Sequence, residues 1–230
     1  MRALRTVLIL AVVLGGILVG VDRLAAAYAE SEAADGVRLG SVRAESTDVD
    51  IKGFPFLTQV ADKRFGEVDV ALTGVRTTAG GHPVRIGKLT AALHDVTLND
   101  DYAIERARTA SGTALTSYPD LAAASGEDAK VAYGGTGKLK VTGGVRFLGQ
   151  ILTRTVTSTV TLVGGDTIRV RADEVPGEGI PGLEKLVRAR TDFDWRVEGL
   201  PTGMRLTKVE PREDGLAVTV SGENVVLTAS

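Results

Sequence analysis

His82 and His94 are the only imidazoles in this 230-residue chain, and it contains no cysteine. His82 lies in Gly80-Gly81-His82-Pro83, which reads as a solvated turn. His94 falls mid-strand, where a structural role is expected. Neither belongs to an H-E-x-x-H pattern, and two isolated histidines make a poor zinc site. Without cysteine there is no thiol nucleophile, no disulfide, no cysteine-based metal site and no cysteine to acylate. The G-x-S-x-G elbow of a serine hydrolase is absent. Gly134-Gly135-Thr136-Gly137-Lys138-Leu139 has the outline of a phosphate loop, but Ala132 replaces its first glycine and Leu139 its Ser/Thr, so a hairpin turn is the better reading. Asp48 and Asp50 share one strand face, which could suit acid–base work, although solvated carboxylates on a strand are far commoner. Asn99-Asp100-Asp101 adds further carboxylates. No cofactor, metal or catalytic residue is implied.

Apolar residues placed where strands end carry more information. Gly53-Phe54-Pro55-Phe56-Leu57-Thr58-Gln59 holds two of the five phenylalanines, in a chain with 4% aromatic residues. It follows a polar, strand-like stretch, Ser41 to Lys52. Pro55 cannot donate to a β ladder, so the strand should stop there. Phe54, Pro55, Phe56 and Leu57 then form either a greasy mouth or a plug closing one end of a sheet. Leu148, Ile151 and Leu152 make a second cluster, and Ile180 and Leu183 open a helical pattern. Converging on one rim, these residues would line a sleeve for acyl chains, where burial contributes about 0.8 kcal/mol per methylene. The alternative is that they pack on each other.

The elements that must position these residues begin with an export signal. Met1 to Thr6 is basic, Val7 to Val21 is an apolar run of 15 residues, and Ala25-Ala26-Ala27 offers an A-x-A cleavage site. A spanning helix wants about 20 apolar residues. Residues 1–27 therefore read as a signal peptide or an N-terminal membrane anchor, with Arg2 and Arg5 keeping the N-terminus cytoplasmic. Residues 28–230 form a single domain that keeps 24 of the 27 basic and 28 of the 29 acidic groups, a net charge of −4. That balance argues against nucleic acid as a partner.

Leu24 to Ala34 reads as a helix or stalk ended by Asp35-Gly36. Alternation then predicts strands over Phe65–Val75, Val84–Leu98, Lys138–Val145, Arg154–Leu162 and Thr167–Ala172, with a last strand carrying Leu216, Val218 and Val220. In Val84–Leu98 the apolar parity switches near His94-Asp95, which implies a bulge or strong twist. Tyr118 to Ala124 reads as a short helix with proline in its first turn, and Ile180 to Val187 as the best helix of the exported part. Gly-Gly pairs at 80–81 and 164–165 fit hairpin loops, and those at 134–135 and 143–144 fit turns or bulges. Thr47 to Pro55 has an echo in Thr191 to Pro201, either a trace of two related halves or a coincidence. The fold class is α+β: a long, strongly curved antiparallel sheet packed around one or two helices, preceded by an N-terminal apolar helix.

Taken together, the exported signal, the Gly53 to Gln59 segment, the Leu89 to Asn99 strand and Gly199-Leu200-Pro201-Thr202-Gly203 resemble the LmeA-like phospholipid-binding family of actinobacterial cell envelopes. The resemblance covers nearly all of residues 30–228. It implies an extracytoplasmic, membrane-associated or periplasmic phospholipid-binding protein, linked in the named member to lipoglycan maturation, with a sheet wrapped around a long helix as in tubular lipid-binding domains. It points to Phe54, Pro55, Phe56 and Leu57. Lys52, Lys63 and Arg64 are candidate headgroup contacts. The implied partners are a phospholipid or other acyl lipid, the membrane, and envelope-assembly enzymes. The alternatives are a non-catalytic anchored scaffold for envelope proteins and a glycolipid-modifying enzyme.

Overall fold

Alternating apolar and polar residues make strands, and here every described strand pairs antiparallel with its neighbours. The computed structural model describes residues 2–39, 44–79, 82–124, 130–147, 150–174, 184, 188, 191–197 and 199–227. A long helix, α1 (Arg2–Leu39), precedes β1 (Ser46–Lys52), α2 (Phe56–Ala61), β2 (Arg64–Ala79), β3 (His82–Leu98), β4 (Ile104–Thr116) and α3 (Tyr118–Ala124). There follow β5 (Lys130–Gly135), β6 (Lys138–Phe147), β7 (Gln150–Val163), β8 (Thr167–Ala172), β9 (Phe193–Arg196), β10 (Thr202–Arg212) and β11 (Gly215–Val226). The α+β class and the N-terminal apolar helix are as expected. The strands are shared between two sheets, ordered β1-β2-β3-β4-β11-β10 and β5-β6-β7-β8-β9.

One face of the larger sheet is apolar across its whole width. Val49, Val70, Ala91, Gly112, Val220 and Leu206 are successive cross-strand partners from β1 to β10. At the β10 end this face meets the second sheet, and Leu206 and Leu216 are buried with Leu139, Val156, Ile168 and Val170. The Leu206 amide donates to the Gly165 carbonyl in the β7–β8 turn at 2.7 Å, fixing one sheet on the other. At the β1 end, α1 and α2 cover the same face, and Ala26, Phe56, Phe65, Val68, Val96 and Val225 form a second core.

The parity switch expected in β3 is real and is shared by four strands. Gly66 and Asp95 lie between the pairs Phe65–Val96 and Glu67–His94. Arg108 lies opposite Asp95, between Val96–Ala107 and His94–Thr109. Asn224 lies opposite Arg108, between Glu223–Thr109 and Val225–Ala107. Asp95 has φ 49° and Asn224 φ 51°, the left-handed conformation that non-glycine residues seldom adopt. The register is the same on both sides of these positions, so the feature is a local twist and not an added residue. Standing side by side, the irregular positions crease the sheet, so that Leu93 and Val96, or Ala107 and Ala110, reach one core although three residues apart. The Arg108 guanidinium pairs with Asp95 over the crease.

Several sequence readings need adjustment. Helix α1 does not stop at Asp35-Gly36 but continues to Leu39. His82 begins β3 rather than sitting in a turn. Gly143 and Gly144 lie inside β6, paired regularly with Arg154 and Thr153, and make neither turn nor bulge. Gly164 (φ 65°) and Gly165 (φ 77°) do form the β7–β8 hairpin turn. The helix expected over Ile180–Val187 lies mostly outside the described residues, where Glu184, Arg188 and Thr191 are helical.

Two stability outcomes follow. Asn224→Val, which forces a β-branched residue into the left-handed region, costs about 1 to 2 kcal/mol in urea unfolding, whereas Asn224→Gly is neutral or stabilising. Separately, the buried Tyr118 hydroxyl donates to the Arg212 carbonyl, and burial pushes it from 10.0 up to about 12. A raised folded-state value means that this group's stabilisation is complete below pH 10 and is lost as the pH climbs towards 12. Over that window the Tm of Tyr118→Phe falls less than that of the wild type.

Candidate functional site

The Gly53–Gln59 segment is built from both ends of the chain's first sixty residues. Strand β1 ends at Lys52, and Gly53 turns the chain with φ 103°. A side chain there would be strained, and its Cβ would lie 2.9 Å from Gln59 Nε2. Pro55 takes the N-cap position of α2 (φ −74°, ψ 139°) but has no side chain to cap it. A helix of six residues leaves most of its amides without intrahelical partners. The missing cap comes from α1. Asp22 Oδ2 accepts from the Phe56 amide at 2.9 Å and Oδ1 from the Leu57 amide at 2.8 Å.

Two further bonds make this a clamp. Arg23 donates to the Gly53 carbonyl at 2.9 Å and lies over the Phe54 ring, 5.4 Å from its centroid. Glu30, two turns further along α1, accepts from the Ile51 amide at 2.9 Å and so covers the free edge of β1. Between these polar grips Ala25, Ala26 and Ala29 pack into the core, where small side chains let helix and sheet approach closely. Gln59 completes the unit: its Nε2 donates to the Lys52 carbonyl at 3.3 Å and its Oε1 accepts from the Gly66 amide at 3.0 Å.

This architecture separates the predicted residues. Phe56 is 4% exposed and stacked on Phe65, with ring centroids 5.9 Å apart. It is a core side chain, as the plug reading has it. Phe54 and Leu57, 60% and 46% exposed, face outward with Pro55. Leu148, Ile180 and Leu183 lie outside the described residues. Ile151 and Leu152 pair with Arg146 and Val145 in the second sheet, and their side chains lie outside the described set. Their convergence with Phe54 and Leu57 on one rim is therefore not observed.

Of the three headgroup candidates, two are committed to carboxylates. Lys52 pairs with Asp50 and, at 3.7 Å, with Asp69, and the Asp50 bond raises its pKa above the ordinary value. Lys63 donates to Asp100 at 2.7 Å, which raises the lysine and lowers the carboxyl. The Asp48/Asp50 pair accordingly belongs to a solvated polar face. Arg64 is exposed and has no ion-pair partner among the described residues. So is Arg106, which sequence reasoning passed over, and each is a cross-strand partner of Thr97. Together they line a groove of about 840 Å³ that runs along the crease from Gln59 to Asn224.

Residues 20–221 match the family model described as LmeA-like phospholipid-binding. The match spans most of the chain, and the chain belongs to that family, whose defining property is phospholipid binding. No curated protein and no solved structure matches the chain. The N-terminal helix carries an apolar stretch, Ala11–Asp35, long enough to cross a membrane and 11% buried at its most apolar window, which fits a signal or an anchor.

The split between the two phenylalanines is measurable. Phe56→Ala costs about 3 to 5 kcal/mol in chemical denaturation, while Phe54→Ala stays within about 0.5 kcal/mol of wild type. Asp22→Ala strands the Phe56 and Leu57 amides and lowers Tm by several degrees, although no residue of the sheets is touched.

Proposed function

We propose that the protein is an extracytoplasmic phospholipid-binding protein of the cell envelope that binds lipid without chemically altering it and supports the assembly of envelope lipids or lipoglycans. The family match over residues 20–221 carries this reading. The apolar helix that precedes the domain supports placing it at the outer side of a membrane.

Two surfaces of the chain suit the two parts of a phospholipid, one on each face of the larger sheet, so a single bound lipid engages one of them and not both. The row Val49, Val70, Ala91, Gly112, Val220 is wholly apolar, and Ala91 and Gly112 are its smallest members, so the floor of the sheet is lowest where these two meet. An acyl chain laid there would exchange water for aliphatic contact at about 0.8 kcal/mol per methylene. On the polar face Arg64 and Arg106 hold two guanidinium groups without carboxylate partners among the described residues, in a domain otherwise rich in ion pairs. Guanidinium groups bind phosphate by paired N–H donors. The net acidic balance of the domain is then no obstacle, because recognition is local.

The test is the content of the purified protein. Full-length chain extracted in mild detergent and analysed by native mass spectrometry carries a phospholipid, identified after solvent extraction. Protein that never carries a lipid and takes none from vesicles overturns the reading. Arg64→Ala combined with Arg106→Ala lowers recovery of anionic phospholipid several-fold and leaves Tm unchanged.

A further inference from the structure

The clamp on α1 joins the membrane-spanning candidate rigidly to the folded domain at the point where the apolar run ends. Val7–Val21 is 15 residues, about 22 Å of helix at 1.5 Å per residue. A bilayer's hydrocarbon core is about 30 Å thick, so that run alone leaves about 8 Å uncovered. Asp22 and Arg23 look like the polar stop that limits the run. Asp22, however, is 3% exposed, with both carboxylate oxygens engaged by α2 amides, and Arg23 is folded against the Phe54 ring and the Gly53 carbonyl. The apolar surface resumes at once beyond them. Leu24 is 74% exposed, and Phe54 and Leu57 stand out from the α2 segment that Asp22 and Arg23 hold. Tyr28, one helical turn after Leu24, is also exposed, in the place where aromatic side chains settle at headgroup level. Counting on through Ala27 gives 21 residues, about 32 Å, which closes the gap.

We propose that α1 is retained as an anchor and that Leu24, Phe54 and Leu57 rest in the outer leaflet of the membrane α1 crosses, seating the domain on the bilayer rather than suspending it from a stalk. The occupant of this apolar surface is the lipid adjoining the span, because the surface is continuous with the span. An interfacial seat about 5 to 10 Å deep is the usual depth for such contacts. Cleavage after Ala27 is incompatible with this arrangement. It would remove Asp22 and Arg23 from α2 and Ala25 and Ala26 from the core, and the family match itself begins at residue 20.

The absence of cysteine makes the test direct. Phe54→Cys, Leu57→Cys and Thr136→Cys, the last in the exposed β5–β6 turn, are each labelled with an environment-sensitive fluorophore. The full-length chains are reconstituted in phosphatidylcholine–phosphatidylglycerol vesicles. Labels at 54 or 57 are quenched by nitroxide-bearing lipid and shielded from aqueous iodide, while the label at 136 behaves oppositely. The intact mass of the chain recovered from cell membranes includes residues 1–27. Labels at both 54 and 57 as open to iodide as that at 136, or a mature chain beginning at Tyr28, overturns the proposal. Either result leaves the lipid-binding reading standing, since that depends on what the domain carries and not on where it sits.

Discussion

The position of the Gly53–Gln59 segment depends on one carboxylate. Asp22 closes the start of α2, a helix too short to hold its own first turn and entered through a proline that brings no cap. Because the cap comes from α1, docking of the N-terminal helix stabilises the segment. Phe56 then points inward onto Phe65, and its neighbours Phe54 and Leu57 are left facing out. Charge-assisted bonds from backbone amides are among the stronger hydrogen bonds. Placing one next to an apolar span gives the span a fixed orientation relative to the sheet.

The crease is the second constraint, and it serves the first. A flat six-stranded sheet would present one parity of side chains to the helices along its whole length. Local twists side by side at Gly66, Asp95, Arg108 and Asn224 exchange the parities near the α2 end, so Phe65, Val96, Ala107 and Val225 all join Phe56 in one core. Gly203 supports the outer end of this bend: it has φ 94°, and any Cβ there would lie 2.8 Å from the Glu223 carbonyl. On the opposite face the same bend opens the groove that holds Arg64 and Arg106. A packing feature and a charged hollow are thus two sides of one backbone irregularity.

Much of this could be read from residue order. The strands with strict alternation, the helix Tyr118–Ala124 and the parity switch beside His94-Asp95 all follow from periods of two or from proline placement. Strand β4 carried no such signal, because its inward positions are Ala107, Ala110, Gly112 and Ala114, too small to register as a hydrophobic stripe. The division into two sheets was equally silent, since pairing partners are chosen over long distances in sequence. At the candidate site, Pro55 correctly marked the end of β1. Which phenylalanine is buried is decided by Asp22, 34 residues away from Phe56, and that residue reads locally as no more than the end of an apolar run. The triple alanine at 25–27 is the clearest case of one pattern with two meanings. Small residues suit a signal peptidase, and the same small residues let a helix lie close against a sheet.

The echo between Thr47–Pro55 and Thr191–Pro201 gains weight from the topology. β1 and β9 are each the edge strand of their sheet, each follows helical residues, and each leads into a glycine of positive φ, Gly53 at 103° and Gly199 at 76°. An edge strand needs cover for its unpaired amides. At β1 the cover is α1, with Glu30 taking the Ile51 amide. Beside β9 the helical residue Arg188 engages Glu184 and Asp192, while Asp192 accepts from the Ala172 amide of β8. Helical polar residues thus work beside both edge strands, and α1, the first of these helices, also carries the apolar run. The two joints solve the same backbone problem, and the difference between them isolates what the N-terminal helix adds: a direction in which the domain faces apolar surroundings.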